Sequence, residues 1–190
     1  MLKSFKLKLF FFMKGKILIS SPNLLTDMIF YKSIILLVEE SHDGHTGFIL
    51  NRPGGILFMK NETSTSDKKF KFNFGGPVSD QTFFITKKKI KNLEVFLIEK
   101  SIYWGNNVQS AIQLINDGKI NLNDIIFFQG YSGWDSGQLE LEIENGSWIV
   151  IDNYSFNLFN LKKNSWNNII DGIDHKYKIW SNSPDDISLN

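Results

Sequence analysis

The run Ile34-Ile35-Leu36-Leu37-Val38 constrains this chain more than any other five residues. It is aliphatic at every position and β-branched at three. A run this continuous leaves no face for water, so it predicts a central strand over Phe30 to Glu39, buried on both sides. Asp43-Gly44 follows as a strong hairpin turn. The return strand is expected over Thr46 to Asn51, with Pro53 stopping it.

The rest of the chain reads as short strands with a few helices. Lys16 to Ser21 is a strand ended by Ser21-Pro22. Residues 60–69 are polar throughout and predict a mobile loop. Phe70 to Phe74 alternates apolar and polar, and Gly75-Gly76-Pro77 turns it sharply. Gln81 to Thr86 and Glu94 to Ile98 are further strands, with the basic Lys87 to Lys91 segment solvated between them. Val108, Ala111, Ile112 and Ile115 have helical spacing within Asn107 to Asp117, and Gly118 is placed to end that helix.

Ile125 to Gln129 is a strand that runs into a heavily punctuated segment, Gly130-Tyr131-Ser132-Gly133-Trp134-Asp135-Ser136-Gly137. So many glycines beside a Trp and a Tyr predict a built corner. Beyond it, Leu139, Leu141 and Ile143 alternate with glutamates, which is a strand pattern. Asp135 with Gln138 is also a capping-box variant, and Gly146 sits where a helix would end. The expectation is a short helix. Ser147 to Asp152 is then a strand, Leu158 to Asp171 a late helix, and Tyr177 to Trp180 closes the chain. No internal repeat or interdomain linker is present.

At 190 residues the chain is long enough for one self-sufficient core. A net charge of +1 gives no general attraction to nucleic acid or anionic membrane. There is no Cys, so thiol chemistry and cysteine metal sites are excluded, and a reducing compartment fits. The apolar core of the first 12 residues is too short for a signal peptide. Residues 1–12 are expected to be a disordered tail or a mis-annotated start before Met13, with one domain over residues 13–190. No stretch approaches the roughly 18 apolar residues of a membrane span. Arg52 is the single arginine among 21 basic residues, which singles it out for work a lysine cannot do.

The familiar catalytic patterns fail. Gly130-Tyr131-Ser132-Gly133-Trp134 misses the last glycine of a serine-hydrolase elbow. Gly75-Gly76-Pro77-Val78 lacks the Lys-Ser/Thr of a phosphate loop. His42-Asp43-Gly44-His45 has metal-ligand types, but these straddle a hairpin turn where polar residues are expected anyway. No metal and no cofactor is assigned.

The ordered set Gly15 to Pro22, Gly47 to Pro53, Gly75 to Val78, Gly130 to Ile143, Trp148 and the Trp180-to-Leu189 ending resembles the AlgH/YqgE family of bacterial proteins. The resemblance covers residue 14 onward. It implies an α+β fold: a compact domain with a mixed, mainly antiparallel sheet flanked by a few helices. It also implies cytoplasmic residence, and it carries the label of a transcriptional regulator without any agreed catalytic residues.

A non-enzymatic regulatory or binding protein is the reading that follows. Its candidate site is Asn51, Arg52, Gly75, Gly76, Pro77, Trp134, Gln138 and Glu142, where glycine-built strand ends and a helix start converge. A protein partner or a small anionic ligand would bind there. Arg52 would complete that anion site or pair with Glu140 or Glu142. One alternative is an enzyme acting on a small anion, with Glu140 or Glu142 as base. The other is a nucleic-acid binder using the Lys-rich N-terminus and the Lys87 loop.

Overall fold

The computed structural model describes residues 12–59 and 68–182. All but the last residue of the expected tail (1–12), most of the polar 60–69 loop and the Ser-Pro-Asp-Asp ending lie outside those residues.

The aliphatic run forms β2 (Ile34–Ser41), which starts four residues later than the expected Phe30 because the left-handed Lys32 (φ 48) keeps the preceding residues in a turn, and which pairs through the Asp43-Gly44 turn with β3 (Gly44–Ile49). On the other side β2 pairs with β1 (Ile17–Ser20), which in turn pairs with β10 (Trp148–Ile151). Ile34, Leu36 and Val38 enter one apolar cluster, with Phe48 and Trp166. Ile35 and Leu37 enter another, with Trp134, Trp148 and Leu139. The strand is therefore buried on both faces, as its composition demands. Covering one face is α3 (Ser165–Ile173), through Trp166 and Ile170. The short helix α2 (Gln138–Glu144) covers the other through Leu139.

The sheet continues through β9 (Ile125–Asp135), β6 (Val78–Thr86), β8 (Ile102–Gly105) and β7 (Phe96–Glu99). Two more strands, β4 (Pro53–Met59) and β5 (Lys68–Phe74), branch off β9. Only β5 with β9 is parallel, so the sheet is mixed and mainly antiparallel, and the fold is α+β. A third cluster, with Phe72 and Phe127, lies under α1 (Val108–Asn116), whose Asn107 accepts the Ser110 N–H at 3.1 Å as an N-cap. No helix of the described residues is long and apolar enough to cross a membrane.

Four further expectations are corrected. The glycine segment is not a corner. β9 runs through it to Asp135, bending at Gly130 (φ +70), and changes partners there from β6 and β5 to β3. Pro53 does not end strand structure but begins β4, the one interior-free position a strand offers it. The late helix starts only at Ser165, because Leu158–Asn160 forms a single 3-10 turn and the chain is extended at Leu161. Lys68 and Lys69, assigned to the polar loop, already belong to β5. β4 and β8 have no clear strand signal and were not expected.

The short helix after Asp135 is formed as read. The Gln138 side chain accepts the Asp135 N–H at 3.0 Å. At the far end Gly146 (φ +74) and Ser147 donate to the carbonyls of Ile143 and Glu142, both at 2.9 Å, a left-handed C-terminal cap.

Candidate functional site

The loop before β2 is tightly built. Asp27 Oδ1 accepts the N–H groups of Ile29 (2.8 Å) and Phe30 (2.6 Å), and Tyr31 N–H closes back on the Asp27 carbonyl at 3.1 Å. Lys32 adopts φ 48, a left-handed conformation that costs a non-glycine residue energy and needs surrounding support. Asn51 supplies that support. It is 5% exposed, accepts the Ile34 N–H at 2.9 Å and donates to the Lys32 carbonyl at 2.8 Å.

Arg52 follows directly. Its two terminal nitrogens donate to the carbonyls of Ile29 and Tyr31, and its guanidinium lies 5.9 Å from the Phe74 ring centre. Burial pulls the Arg52 pKa below its ordinary value, and the charge of Asp27 opposes that shift. Around these groups opens a cleft of about 390 Å³ lined by Tyr31, Lys32, Asn51, Arg52, Pro53 and Lys163. Three cationic residues from three separate stretches of chain thus line one space, Lys32 largely buried with its Nζ 5.5 Å and 5.6 Å from the Tyr31 and Trp166 ring centres.

The other residues of the sequence-derived set do different work. Glu142 Oε2 accepts both indole N–H groups, from Trp134 at 2.8 Å and Trp148 at 2.7 Å. Its Oε1 accepts from Gln138 Nε2 at 2.8 Å. This carboxylate locks α2 onto the two tryptophans. Gly75 and Gly76 form a crossing. A Cβ on Gly75 would lie 2.2 Å from the Gly130 carbonyl oxygen, and one on Gly76 would lie 2.2 Å from the Tyr131 backbone. Only glycine permits that approach. Pro77 is exposed and outside the cleft lining.

The eight residues therefore do not converge on one pocket. Asn51 and Arg52 line the cleft, while Trp134, Gln138 and Glu142 form a separate lock. Phe30 joins the two, its ring 6.4 Å from Trp134 and 5.5 Å from Trp148, flanked by the residues whose carbonyls hold Arg52. The pairing of Arg52 with Glu140 or Glu142 does not occur; Arg52 spends its bonds on carbonyls. Glu142, engaged three times, is a poor general base. Glu140 keeps one buried carboxylate oxygen without a hydrogen-bond partner, but it does not line the cleft.

Sequence reading missed Tyr31, Lys32, Pro53 and Lys163 as cleft residues. Lys32 closes a conspicuous aromatic stretch, Phe30-Tyr31-Lys32, which could have been noticed; Lys163 carries no local signal. Among the described residues no group of three or more His, Asp and Glu could hold a metal ion. His42 is exposed at the hairpin tip, and His45 is buried with its Nε2 3.9 Å from Glu40.

Comparison with known proteins bears on all of this. The family model described as AlgH-like (DUF179) matches residues 17–178. A "UPF0301 protein" of Cytophaga hutchinsonii is 37% identical over 182 residues, covering 93% of this chain and 98% of that protein. One from Chlorobium limicola is 34% identical, covering 93% and 95%. The solution structure of the AlgH protein from Pseudomonas aeruginosa superposes with a TM-score of 0.67 at 19% identity, over 92% of this chain and 95% of that one. That likeness concerns the fold alone.

Proposed function

The chain belongs to the AlgH-like family, and on that premise we propose that it is a non-enzymatic regulatory protein that binds an anionic group in the Arg52 cleft. One observation carries the proposal: a half-buried guanidinium, oriented by two backbone carbonyls, shares a cleft with Lys32 and Lys163. Two N–H donors hold the guanidinium in place, and the fork has five. A fixed, partly desolvated arginine recognises a carboxylate or phosphate at lower ordering cost than a flexible lysine.

Regulation in this reading works through occupancy of the cleft, in the cytoplasm that the resemblance implies. The regulator label does not require this chain to read DNA itself. Neither α1 nor α3 carries a Lys or Arg, α2 is acidic, and the remaining described α-helix, Lys178–Ser181, is only four residues long, so none is suited to a major groove.

Calorimetric titration with inorganic phosphate and with citrate tests the proposal. At least one should bind, and Lys163→Ala should weaken it about tenfold, the loss of roughly 1.4 kcal/mol. Millimolar anion giving neither heat nor shifts of the Tyr31 to Arg52 amide signals would remove the cleft from consideration.

A further inference from the structure

Charge is unevenly distributed along this chain. The first 16 residues carry Lys3, Lys6, Lys8, Lys14 and Lys16, and no acidic residue occurs before Asp27. The whole chain has a net charge of only +1, so everything after Lys16 is net acidic. The same stretch is strongly apolar. Leu2, Phe5, Leu7 and Leu9 interleave with the lysines, and Leu9 to Met13 is an unbroken apolar run with three phenylalanines. Lysines combined with Leu and Phe in this way are the composition of segments that settle at a bilayer interface.

The structure fixes where this stretch meets the domain. Met13 is buried, and Glu40 Oε2 accepts the N–H groups of Met13 at 2.8 Å and Lys14 at 3.3 Å. The Gly15 N–H donates to the Leu37 carbonyl at 2.8 Å. The chain is thus tied to β2 at residues 13–15, and Phe12, just before the tie, is 65% exposed. Lys14 Nζ donates to the Leu97 carbonyl at 3.0 Å and stands 5.9 Å from the Phe12 ring centre. Phe12 therefore lies beside β7, the last strand of the sheet, where Phe96 and Leu97 are 45% and 49% exposed. Three large apolar side chains and a lysine meet the surface where the cationic stretch joins the domain. Two carboxylates at this root are engaged, Glu40 with the two amides and Glu99 with the Tyr154 hydroxyl.

We propose that residues 2–14, with Phe96 and Leu97 beside their root, form a contact surface for an anionic lipid bilayer. The lysines meet the negative headgroups, and the Phe and Leu side chains enter the boundary between headgroups and acyl chains. A nucleic acid would attract the lysines too, but it would leave Leu2, Leu7 and Leu9 in water; a bilayer takes both kinds of side chain. The contact is peripheral, because Leu9 to Met13 is far shorter than a membrane span. The leaflet that faces the cytoplasm carries anionic lipid, which agrees with the residence that the family resemblance implies. The inference is independent of the Arg52 cleft and stands or falls without it.

The test is co-sedimentation of the full-length protein with vesicles of equal parts phosphatidylcholine and phosphatidylglycerol, against vesicles of phosphatidylcholine alone. The anionic vesicles should hold the protein more tightly by about tenfold or more, and added salt should weaken that hold. Lys3→Glu, Lys6→Glu and Lys8→Glu together should abolish it. Phe10→Ser with Phe11→Ser, and separately Leu97→Glu, should each weaken it by about tenfold with melting unchanged, a response that a purely electrostatic contact would not give. Absence of binding to the anionic vesicles overturns the inference, as does binding that any of these three variants keeps in full. A lowered melting temperature in the double serine variant would mean that the stretch packs on its own domain. Tighter binding to a single-stranded oligonucleotide than to the vesicles would mean a nucleic-acid partner. Either result makes the bilayer assignment wrong.

Discussion

Arg52 bridges two main-chain carbonyls while lying near an aromatic ring, and a lysine on a flexible stem cannot do both. Arg52→Lys should therefore lower the unfolding free energy by about 1–3 kcal/mol, measured by urea denaturation. The lone arginine was legible in the sequence as a residue with a special task. Its partners were not, because backbone carbonyls are announced by no residue type. Glu142 sits in the reverse position, an acceptor met by three side-chain donors. Glu142→Gln keeps the shape but turns an NH2 toward existing donors, so it should cost about 1–3 kcal/mol and shift the tryptophan emission. Tyr154 sets an alkaline limit. Burial, reinforced by the Glu99 carboxylate to which its hydroxyl donates, pushes its pKa above the ordinary tyrosine range. The folded state then holds a proton that the unfolded state releases near pH ~10, so this stability is complete below that pH and is lost as pH rises past it. Tyr154 should titrate late by ultraviolet absorbance, and Tyr154→Phe should abolish that late step and flatten the alkaline limb of the stability curve.

At the scale of elements, the glycines were visible and their meaning was not. A reader of the sequence sees Gly75-Gly76 and Gly130 as separate turns. In the fold they are the two sides of one crossing, where β9 leaves its pairing with β6 and β5 and takes up β3. Spacing along a chain cannot reveal contact between segments that meet only after the sheet assembles. The consequence separates two glycines of similar appearance. Gly76→Ala places a methyl against the Tyr131 backbone in a positive-φ conformation, and neither strand can yield without breaking the ladder. It should cost more than about 4 kcal/mol or prevent folding. Gly55→Ala meets nothing and should leave the melting temperature within the small range of ordinary surface changes. Parallel melting curves of the two variants decide the matter. The helix α2 was readable despite its strand-like alternation, because its cap and its terminating glycine were both present. β8 and β4 were not, since one is four residues long and the other is opened by a proline and two glycines.

For the whole molecule, the buried run at β2 and its turn set the centre of the sheet, and the family resemblance supplied the α+β architecture that local patterns alone did not. Of the six cleft residues, Asn51 and Arg52 were in the set read from the converging glycine-built ends, whereas Tyr31, Lys32, Pro53 and Lys163 were not, and Lys163 reaches the cleft only through tertiary packing. The same packing bears on the nucleic-acid alternative. Of the Lys87 loop, Lys87 and Lys88 lie 3.2 Å and 3.6 Å from the carboxylate of Asp124, which neutralises part of the patch that would have met phosphates. A net charge of +1 gives the chain no strong overall pull toward a duplex. Binding driven by phosphate contacts weakens steeply with salt, in proportion to the counterions released. A fluorescence-anisotropy titration with a mixed-sequence duplex should therefore show no retention at about 0.15 M salt, where screening already acts within about 8 Å. Tight binding there, with a steep salt slope that Lys89→Ala and Lys91→Ala reduce, would return the Lys87 loop to the centre of the protein's function and displace the Arg52 cleft from it.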